Sequence, residues 1–242
     1  MVAEVHYAFP LAIYTKQLDN YEEFNRVILD NIAPYDFTST DEVLTGEWLG
    51  KISMHHNPLF KDLYKTVSDC AKDYVNFLGM RDDIFEYHFT KSWLSIIDKP
   101  QYHMGYHTHS ISDISWVYYV EIPENADVIS FSNMNRPNEL FDGLMDDSRG
   151  VDVNEHNNPQ GKTFFRERNT PNYNTFFIPP HPGLLVMFPG KQKHGTVPHP
   201  QTTEPQLGKR TAVVGDINMH LKHDYLKFES GRINVNFMRT FD

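Results

Sequence analysis

Two histidines separated by a single residue, His107 and His109, have the spacing of a metal-binding pair. In an extended segment, residues i and i+2 point to the same face, so the two imidazoles would project together. Imidazole is the commonest metal ligand among side chains. The chain contains 13 histidines in 242 residues, and at that content about 0.7 such pairs arise by chance. The pair alone therefore fits a metal site and ordinary surface or core histidines equally well.

A third histidine, His194, follows an apolar strand that we predict between Gly183 and Pro189. The proline ends this strand, and a short polar loop then leads to the histidine. A histidine presented at the end of a strand can complete a three-histidine metal site with His107 and His109. The second half of the sequence therefore favours a metal site.

Arg210 is a charged residue at the start of an otherwise apolar strand that continues through residues 211–214. An unpaired guanidinium in such a strand costs several kcal/mol. Its planar fork matches a carboxylate, which can accept two parallel hydrogen bonds from it. Arg210 therefore predicts a bound carboxylate ligand, and an internal salt bridge to an Asp or Glu is the alternative.

Two helices are predicted in the first ninety residues. The first begins after Asn20, which has the spacing of a capping box with Glu23, and ends before Pro34. The second begins with Asn57 as the N-cap and Pro58 at the first helical position. Its apolar face consists of Leu59, Leu63, Val67, Cys70, Ala71, Tyr74 and Leu78.

From residue 84 onward the apolar pattern has a period of two, which is typical of strands. The predicted strands cover residues 85–89, 93–97, 115–122, 128–131, 176–177, 184–188, 211–218 and 233–237, and a further short strand is predicted at 12–14. This pattern indicates a mainly β fold, a sandwich or barrel of antiparallel strands, with residues 1–83 as a helical and mixed buttress. We expect one domain over residues 1–242, with the β core at 84–242.

The polar stretch 133–174 interrupts this β core and has little periodicity. A segment of this length in a compact domain is typical of a lid or an insertion. We expect it to contact the substrate, through its arginines Arg136, Arg149, Arg166 and Arg168.

The composition excludes several classes of protein. The net charge of −10 argues against a nucleic-acid-binding protein and against binding to an anionic membrane. The single cysteine, Cys70, excludes an internal disulfide and is expected to be a small buried residue. No run of 18 apolar residues occurs, and an acidic residue stands where a signal peptide has basic ones, so we expect a cytoplasmic protein.

The order of these motifs resembles that of iron(II)- and 2-oxoglutarate-dependent oxygenases, which have a double-stranded β-helix (jelly-roll, cupin-like) core. The resemblance is stronger to the 2OG-Fe(II) oxygenases of bacteria and their viruses in which a His-x-His pair leads into a Ser-containing Val-Tyr-Tyr strand. Here that strand begins at Ser115, and the likeness continues through the Pro-Gly and Phe-Pro motifs before His194 and on to Arg210. It covers about residues 58–220, and Trp93 also fits it.

The resemblance implies iron(II) at His107 and His194, 2-oxoglutarate as a chelating cosubstrate, and O2 as the oxidant. It further implies that Arg210 holds the distal carboxylate of the cosubstrate. Tyr102 and Tyr119 are candidates to hydrogen-bond the cosubstrate from neighbouring strands, and a role in the apolar core is the alternative for both. No catalytic residue is expected beyond the metal ligands. The implied reaction is the hydroxylation of a small-molecule or peptide substrate, with succinate and CO2 as coproducts.

The identity of the third metal ligand is left open by the resemblance, because most of the superfamily has His-x-Asp where this chain has His-x-His. Either His109 replaces the acid, or Asp113 swings in as the carboxylate. We expect His109, because the residues between it and Asp113 favour a turn.

Two other functions fit the same sequence. A cupin-like metalloenzyme with three histidine ligands would not use 2-oxoglutarate and would not depend on Arg210. A catalytically inert β-sandwich binding module would carry its histidines incidentally and would bind no metal.

Overall fold

A computed structural model describes residues 10–33, 36–39, 44–47, 53–98, 103–135, 174–199, 204–222 and 240–241. Within these ranges the chain forms two α-helices and ten β-strands, which are labelled in chain order. They are β1 (Tyr14–Gln17), α1 (Tyr21–Asp30), β2 (Asp36–Ser39), β3 (Leu44–Glu47), α2 (Lys61–Phe77), β4 (Phe85–Ile97), β5 (Ile114–Glu121), β6 (Val128–Ser132), β7 (Thr175–Ile178), β8 (Leu184–Pro189), β9 (His194–Val197) and β10 (Arg210–Leu221).

Seven antiparallel strands form the larger sheet, in the spatial order β1-β8-β5-β10-β4-β3-β2. Strand β4 is continuous, whereas the sequence predicted two strands, 85–89 and 93–97, separated by polar residues. The polar residues remain in the sheet because a register irregularity between Asp216 and Ile217 of β10 accommodates one extra residue of β4.

Three antiparallel strands form the smaller sheet, in the order β7-β6-β9. Strand β9 pairs with β6 over residues 194–197, where the sequence analysis predicts no strand. The two sheets enclose one apolar cluster, which consists of Val117, Tyr119, Ile129, Phe131, Leu184, Val186, Phe188 and Ala212. Two antiparallel sheets that face each other across such a core form a double-stranded β-helix, as predicted.

The helices cover the other face of the larger sheet. Leu63 and Val67 of α2 belong to the same buried cluster as Trp116 and Tyr118 of β5. Because side chains alternate along a strand, β5 sends these two aromatic residues towards the helices and its odd-numbered residues, such as Val117, into the core between the sheets. The predicted buttress of N-terminal helices is confirmed.

The predicted apolar face of α2 is wrong at its two ends. Leu59 is 57% exposed and Leu78 is 44% exposed. Leu59 lies in a 3-10 turn, Pro58–Phe60, whose different period moves it off the apolar stripe. Asn57 caps this turn as predicted, since its side chain accepts a hydrogen bond from the Leu59 N–H at 3.0 Å. Leu78 follows the last helical residue.

Helix α1 begins after Asn20 as predicted, but the Asn20 side chain makes no capping hydrogen bond. Glu23, the expected partner in the capping box, forms an ion pair with Arg26 at 2.6 Å instead. The helix is fixed to the sheet by Asn25, which donates a hydrogen bond to a backbone carbonyl of β5 at 2.8 Å.

Some predictions fall on residues outside the described ranges, namely the strand at 233–237 and nearly all of the polar stretch 133–174. Cys70 is buried as expected, and burial raises the pKa of its thiol. No helix in the described part of the chain is both long and apolar enough to span a membrane.

Candidate metal centre

Three histidines from separate parts of the chain meet at one point. One ring nitrogen from each of His107, His109 and His194 lies within 4.8 Å of the others. The ring centroids of His107 and His194 are 4.4 Å apart, and that of His109 lies 5.2 Å from each. The structure therefore brings together the three histidines that the sequence suggested as ligands.

Backbone hydrogen bonds hold these histidines side by side. His107 and His194 form a reciprocal antiparallel pair, with N–O distances of 2.8 and 3.0 Å. The His109 N–H donates to the carbonyl of Gly190, directly after β8, at 2.8 Å. The chain then turns, and the Ser112 N–H returns to the His109 carbonyl at 3.0 Å, in agreement with the predicted turn. The His-x-His pair lies on an extended segment with an isolated β-bridge at His107, and not in a regular strand.

The other ring nitrogen of each histidine is occupied by a hydrogen bond. Nδ1 of His107 lies 2.8 Å from the carbonyl oxygen of Gly105, and Nδ1 of His194 lies 2.9 Å from that of Gln192. Nδ1 of His109 lies 2.6 Å from a carboxylate oxygen. Carbonyl and carboxylate oxygens accept hydrogen bonds, so each Nδ1 carries a proton, and in this tautomer of the neutral ring the lone pair is on Nε2. Three imidazoles in this tautomer can offer Nε2 to a common point, which fits a divalent metal ion.

Burial favours the neutral form of His194. The side chain is 7% exposed, and burial, together with the neighbouring imidazoles of His107 and His109, lowers the pKa of His194 to about 3. Its ring is therefore neutral at physiological pH, and neutral imidazole is the form that binds metals.

The carboxylate beside His109 belongs to Asp216 on β10, which is 2% exposed. The same oxygen, Oδ1, accepts a second hydrogen bond from the Ser115 hydroxyl at 2.8 Å. On another side, the Trp93 ring stacks on His109, with ring centroids 6.3 Å apart and an angle of 18° between the planes. The sequence analysis missed Asp216, although an acidic residue in an apolar strand is the same signal that identified Arg210.

Asp113, the alternative carboxylate ligand, is not one of the three clustered residues. Its Oδ2 accepts a hydrogen bond from the Met219 N–H at 2.8 Å. Its backbone joins two neighbouring elements, because its N–H donates to Ile217 and its carbonyl accepts from Gly190. The described contacts of Asp113 are therefore those of a structural residue that lies directly before β5 and beside β10.

Arg210 is buried, with 6% of its surface exposed. Its Nη2 makes one long hydrogen bond to the Tyr119 hydroxyl at 3.5 Å, and its Cζ lies 5.2 Å from the centre of that ring. Its Nε has no hydrogen-bond partner among the described residues. Burial raises the pKa of Tyr119, so this hydroxyl stays protonated. Tyr102, the other predicted cosubstrate contact, lies outside the described residues.

Arg210 and Asp216 are six positions apart on β10, and side chains an even number of positions apart lie on the same face of a strand. Ala212, between them on that face, belongs to the core between the two sheets. The guanidinium and the histidine cluster therefore belong to the same interior, with apolar side chains along the strand between them. A bound anion that reaches Arg210 from the cluster would lie within the β-helix.

A double-stranded β-helix with a three-histidine cluster and a buried arginine in its interior is the framework of a non-haem metalloenzyme of the oxygenase or cupin type. Residues 91–206, just under half of the chain, match the model of a family described as "Putative 2OG-Fe(II) oxygenase". The matched region is therefore similar to the domain of 2OG-Fe(II) oxygenases, a class of enzyme that uses iron(II), 2-oxoglutarate and O2. The matched residues include all three histidines and Tyr119, and they end before Arg210.

Solved structures share the fold at low sequence identity. An oxidoreductase of the 2OG-Fe(II) oxygenase family from Burkholderia pseudomallei is 11% identical, with 85% of this chain and 83% of that chain covered and a TM-score of 0.52. HygX from Streptomyces hygroscopicus, solved with nickel and 2-oxoglutarate bound, is 10% identical, with 86% and 82% covered and a TM-score of 0.51. A comparison with curated proteins gives no match.

Proposed function

We propose that this chain is an iron(II)- and 2-oxoglutarate-dependent dioxygenase that hydroxylates a small molecule or peptide, with succinate and CO2 as coproducts. The observation that carries the proposal is the group of three histidines with ring nitrogens within 4.8 Å of one another, in the same interior as a buried arginine without an acidic partner among the described residues. The net charge of −10 favours such a substrate over a nucleic acid.

In this proposal His107, His109 and His194 hold the metal through Nε2. We choose His109 over Asp113 as the third ligand because the Asp113 carboxylate is engaged with the backbone of β10. A metal ion held by these three side chains would keep further coordination positions for the cosubstrate and O2. When bound, iron(II) and 2-oxoglutarate together supply the oxidising chemistry that transfers an oxygen atom from O2 to the substrate.

Arg210 and Tyr119 hold the distal carboxylate of 2-oxoglutarate. The unpaired Nε and the weakly bonded Nη2 of Arg210 leave two N–H donors for an anion. The Tyr119 hydroxyl, which is protonated and next to the guanidinium, orients the same group. A carboxylate there would compensate a buried positive charge that has no counter-ion among the described residues, which explains why an arginine is retained in an apolar strand.

An anaerobic titration with iron(II) and then 2-oxoglutarate tests the proposal. We expect a weak visible charge-transfer band that requires both additions and is lost in His194→Ala. His181→Ala is the matched control, because His181 is exposed and lies outside the cluster. Metal binding without the band would favour the cupin-like enzyme, and failure to bind any metal would favour the binding module.

A further inference from the structure

The three histidines differ in what supports them. The rings of His107 and His194 each donate their Nδ1–H to a neutral backbone carbonyl. His109 alone donates to a carboxylate, that of Asp216, and this bond is the shortest of the three, at 2.6 Å. His109 is also the residue that stands where most of the superfamily has an acidic ligand. The histidine that replaces the usual acidic ligand is therefore also the one that is hydrogen-bonded to a carboxylate.

The structure holds the Asp216 carboxylate firmly. It is 2% exposed, and the Ser115 hydroxyl donates to the same Oδ1 at 2.8 Å. No lysine or arginine among the described residues pairs with this carboxylate, so its negative charge acts on His109.

We infer that Asp216 is a positioning residue that supplies, through His109, the negative charge that a carboxylate ligand would place on the metal. This inference rests on the proposed role of the three histidines as ligands. A carboxylate that accepts the Nδ1–H of a ligating histidine fixes the tautomer and the ring orientation, and makes Nε2 a stronger donor. The site thereby keeps the charge of a two-histidine, one-carboxylate site while presenting three nitrogen atoms.

Iron(II) affinity in anaerobic protein, measured by competition with a chelator, tests the role of the charge. Asp216→Asn keeps an oxygen that can accept both hydrogen bonds but removes the negative charge. We expect it to weaken iron(II) binding by about 10- to 100-fold while circular dichroism stays unchanged. Asp127→Asn is the matched control, because Asp127 is equally buried and accepts from a histidine, His103, at 2.6 Å outside the cluster. We expect this control to bind iron(II) as the unchanged protein does.

A second variant separates the charge from a purely structural effect. His109→Asp returns the acid to the ligand position, where Asp216 would repel it. We therefore expect His109→Asp/Asp216→Asn to bind iron(II) more tightly than Asp216→Asn alone, a rescue that lost packing would not produce.

Two results would overturn the inference. One is iron(II) affinity in Asp216→Asn within twofold of the unchanged protein, and the other is absence of the rescue in a folded double variant. Both leave the proposed function intact provided that His107→Ala and His194→Ala lose the metal. If those two variants still bind iron(II) normally, the metal site itself is wrong.

Discussion

Replacing Arg210 by methionine should stabilise the metal-free protein while it removes cosubstrate binding. The guanidinium is buried with Nε unpaired and with one long hydrogen bond, so the variant relieves a desolvation cost of about 1–3 kcal/mol. It also loses the cation–π contact with Tyr119, worth about 0.5–2 kcal/mol. The net expectation is a gain of about 1 kcal/mol, which corresponds to a rise in Tm of about 2–4 °C for a protein of this size.

Thermal denaturation with Mn(II) present, with and without 2-oxoglutarate, provides the assay. A ligand at about 100 times its Kd stabilises a protein by about 2.7 kcal/mol. The unchanged protein should therefore gain roughly 5–10 °C from the cosubstrate, and Arg210→Met should gain nothing. Lys209→Met is the control, since its exposed ion pair with Glu121, at 3.3 Å, should contribute less than about 1 kcal/mol.

Two results would refute this reasoning. If metal-free Arg210→Met lost about 2 kcal/mol or more of its free energy of unfolding, the arginine would stabilise the fold, as the alternative of an internal salt bridge requires. A normal response of the variant to 2-oxoglutarate would mean that the cosubstrate binds elsewhere or that another residue holds its carboxylate.

Gly195→Ala should weaken iron(II) binding with the fold retained, because an added Cβ would lie 2.7 Å from a backbone oxygen of the segment that carries the His-x-His pair. Competition with a chelator measures the affinity, and Gly105→Ala is the control because a Cβ added there meets open space. The pKa of His194 is lowered to about 3 in the folded protein, so between pH 6.5 and 3 the unfolded chain binds one proton more than the folded chain does. The free energy of unfolding of the metal-free protein should therefore fall by up to about 1.4 kcal/mol per pH unit as the pH is lowered through this range. Urea denaturation across that range should give a shallower pH slope for His194→Gln, and an unchanged slope would contradict the assignment. Asn25→Ala should lower the free energy of unfolding, measured by urea denaturation, by about 1–3 kcal/mol, because it leaves buried polar groups of β5 unpaired. The Tyr118 hydroxyl donates to Asn25 at 2.6 Å, so the loss should be smaller when Asn25→Ala is made in a Tyr118→Phe background. Additive losses would contradict the shared hydrogen bond.

The sequence predicted the sheet because strand periodicity is a local signal. Strands β5, β6, β8 and β10 each alternate apolar residues or form a short apolar run, so their positions agree with the prediction within a few residues. Strand β9 has only four residues, one of them Gly195, and it exists because β6 pairs with it. No local pattern encodes such a partner, and for that reason β9 is absent from the predicted strands.

The candidate site was partly predictable for a related reason. The spacing of His107 and His109 suggested that they lie together, and a charged residue in an apolar strand drew attention to Arg210. The hydrogen bond between His109 and Asp216 spans 107 positions of the chain, so no spacing rule could suggest it. A consistent search for charges within apolar strands would nevertheless have singled out Asp216.

Strand β10 supplies the proposed site with two buried charges of opposite sign, Asp216 beside the histidine cluster and Arg210 further along the same face. A metal dication bound by three neutral histidines is only partly balanced by Asp216, which leaves one positive charge. The Arg210 guanidinium adds a second, and 2-oxoglutarate, a dianion, would neutralise both. The interior is electrically balanced when it is empty and again when metal and cosubstrate are bound together, whereas either one alone leaves about two uncompensated charges, which are costly inside a β-helix. We therefore expect bound metal to raise the affinity for 2-oxoglutarate and bound 2-oxoglutarate to raise the affinity for the metal. Asp216→Asn leaves one extra positive charge in the interior, so we expect it to strengthen the binding of the anion while it weakens the binding of the metal.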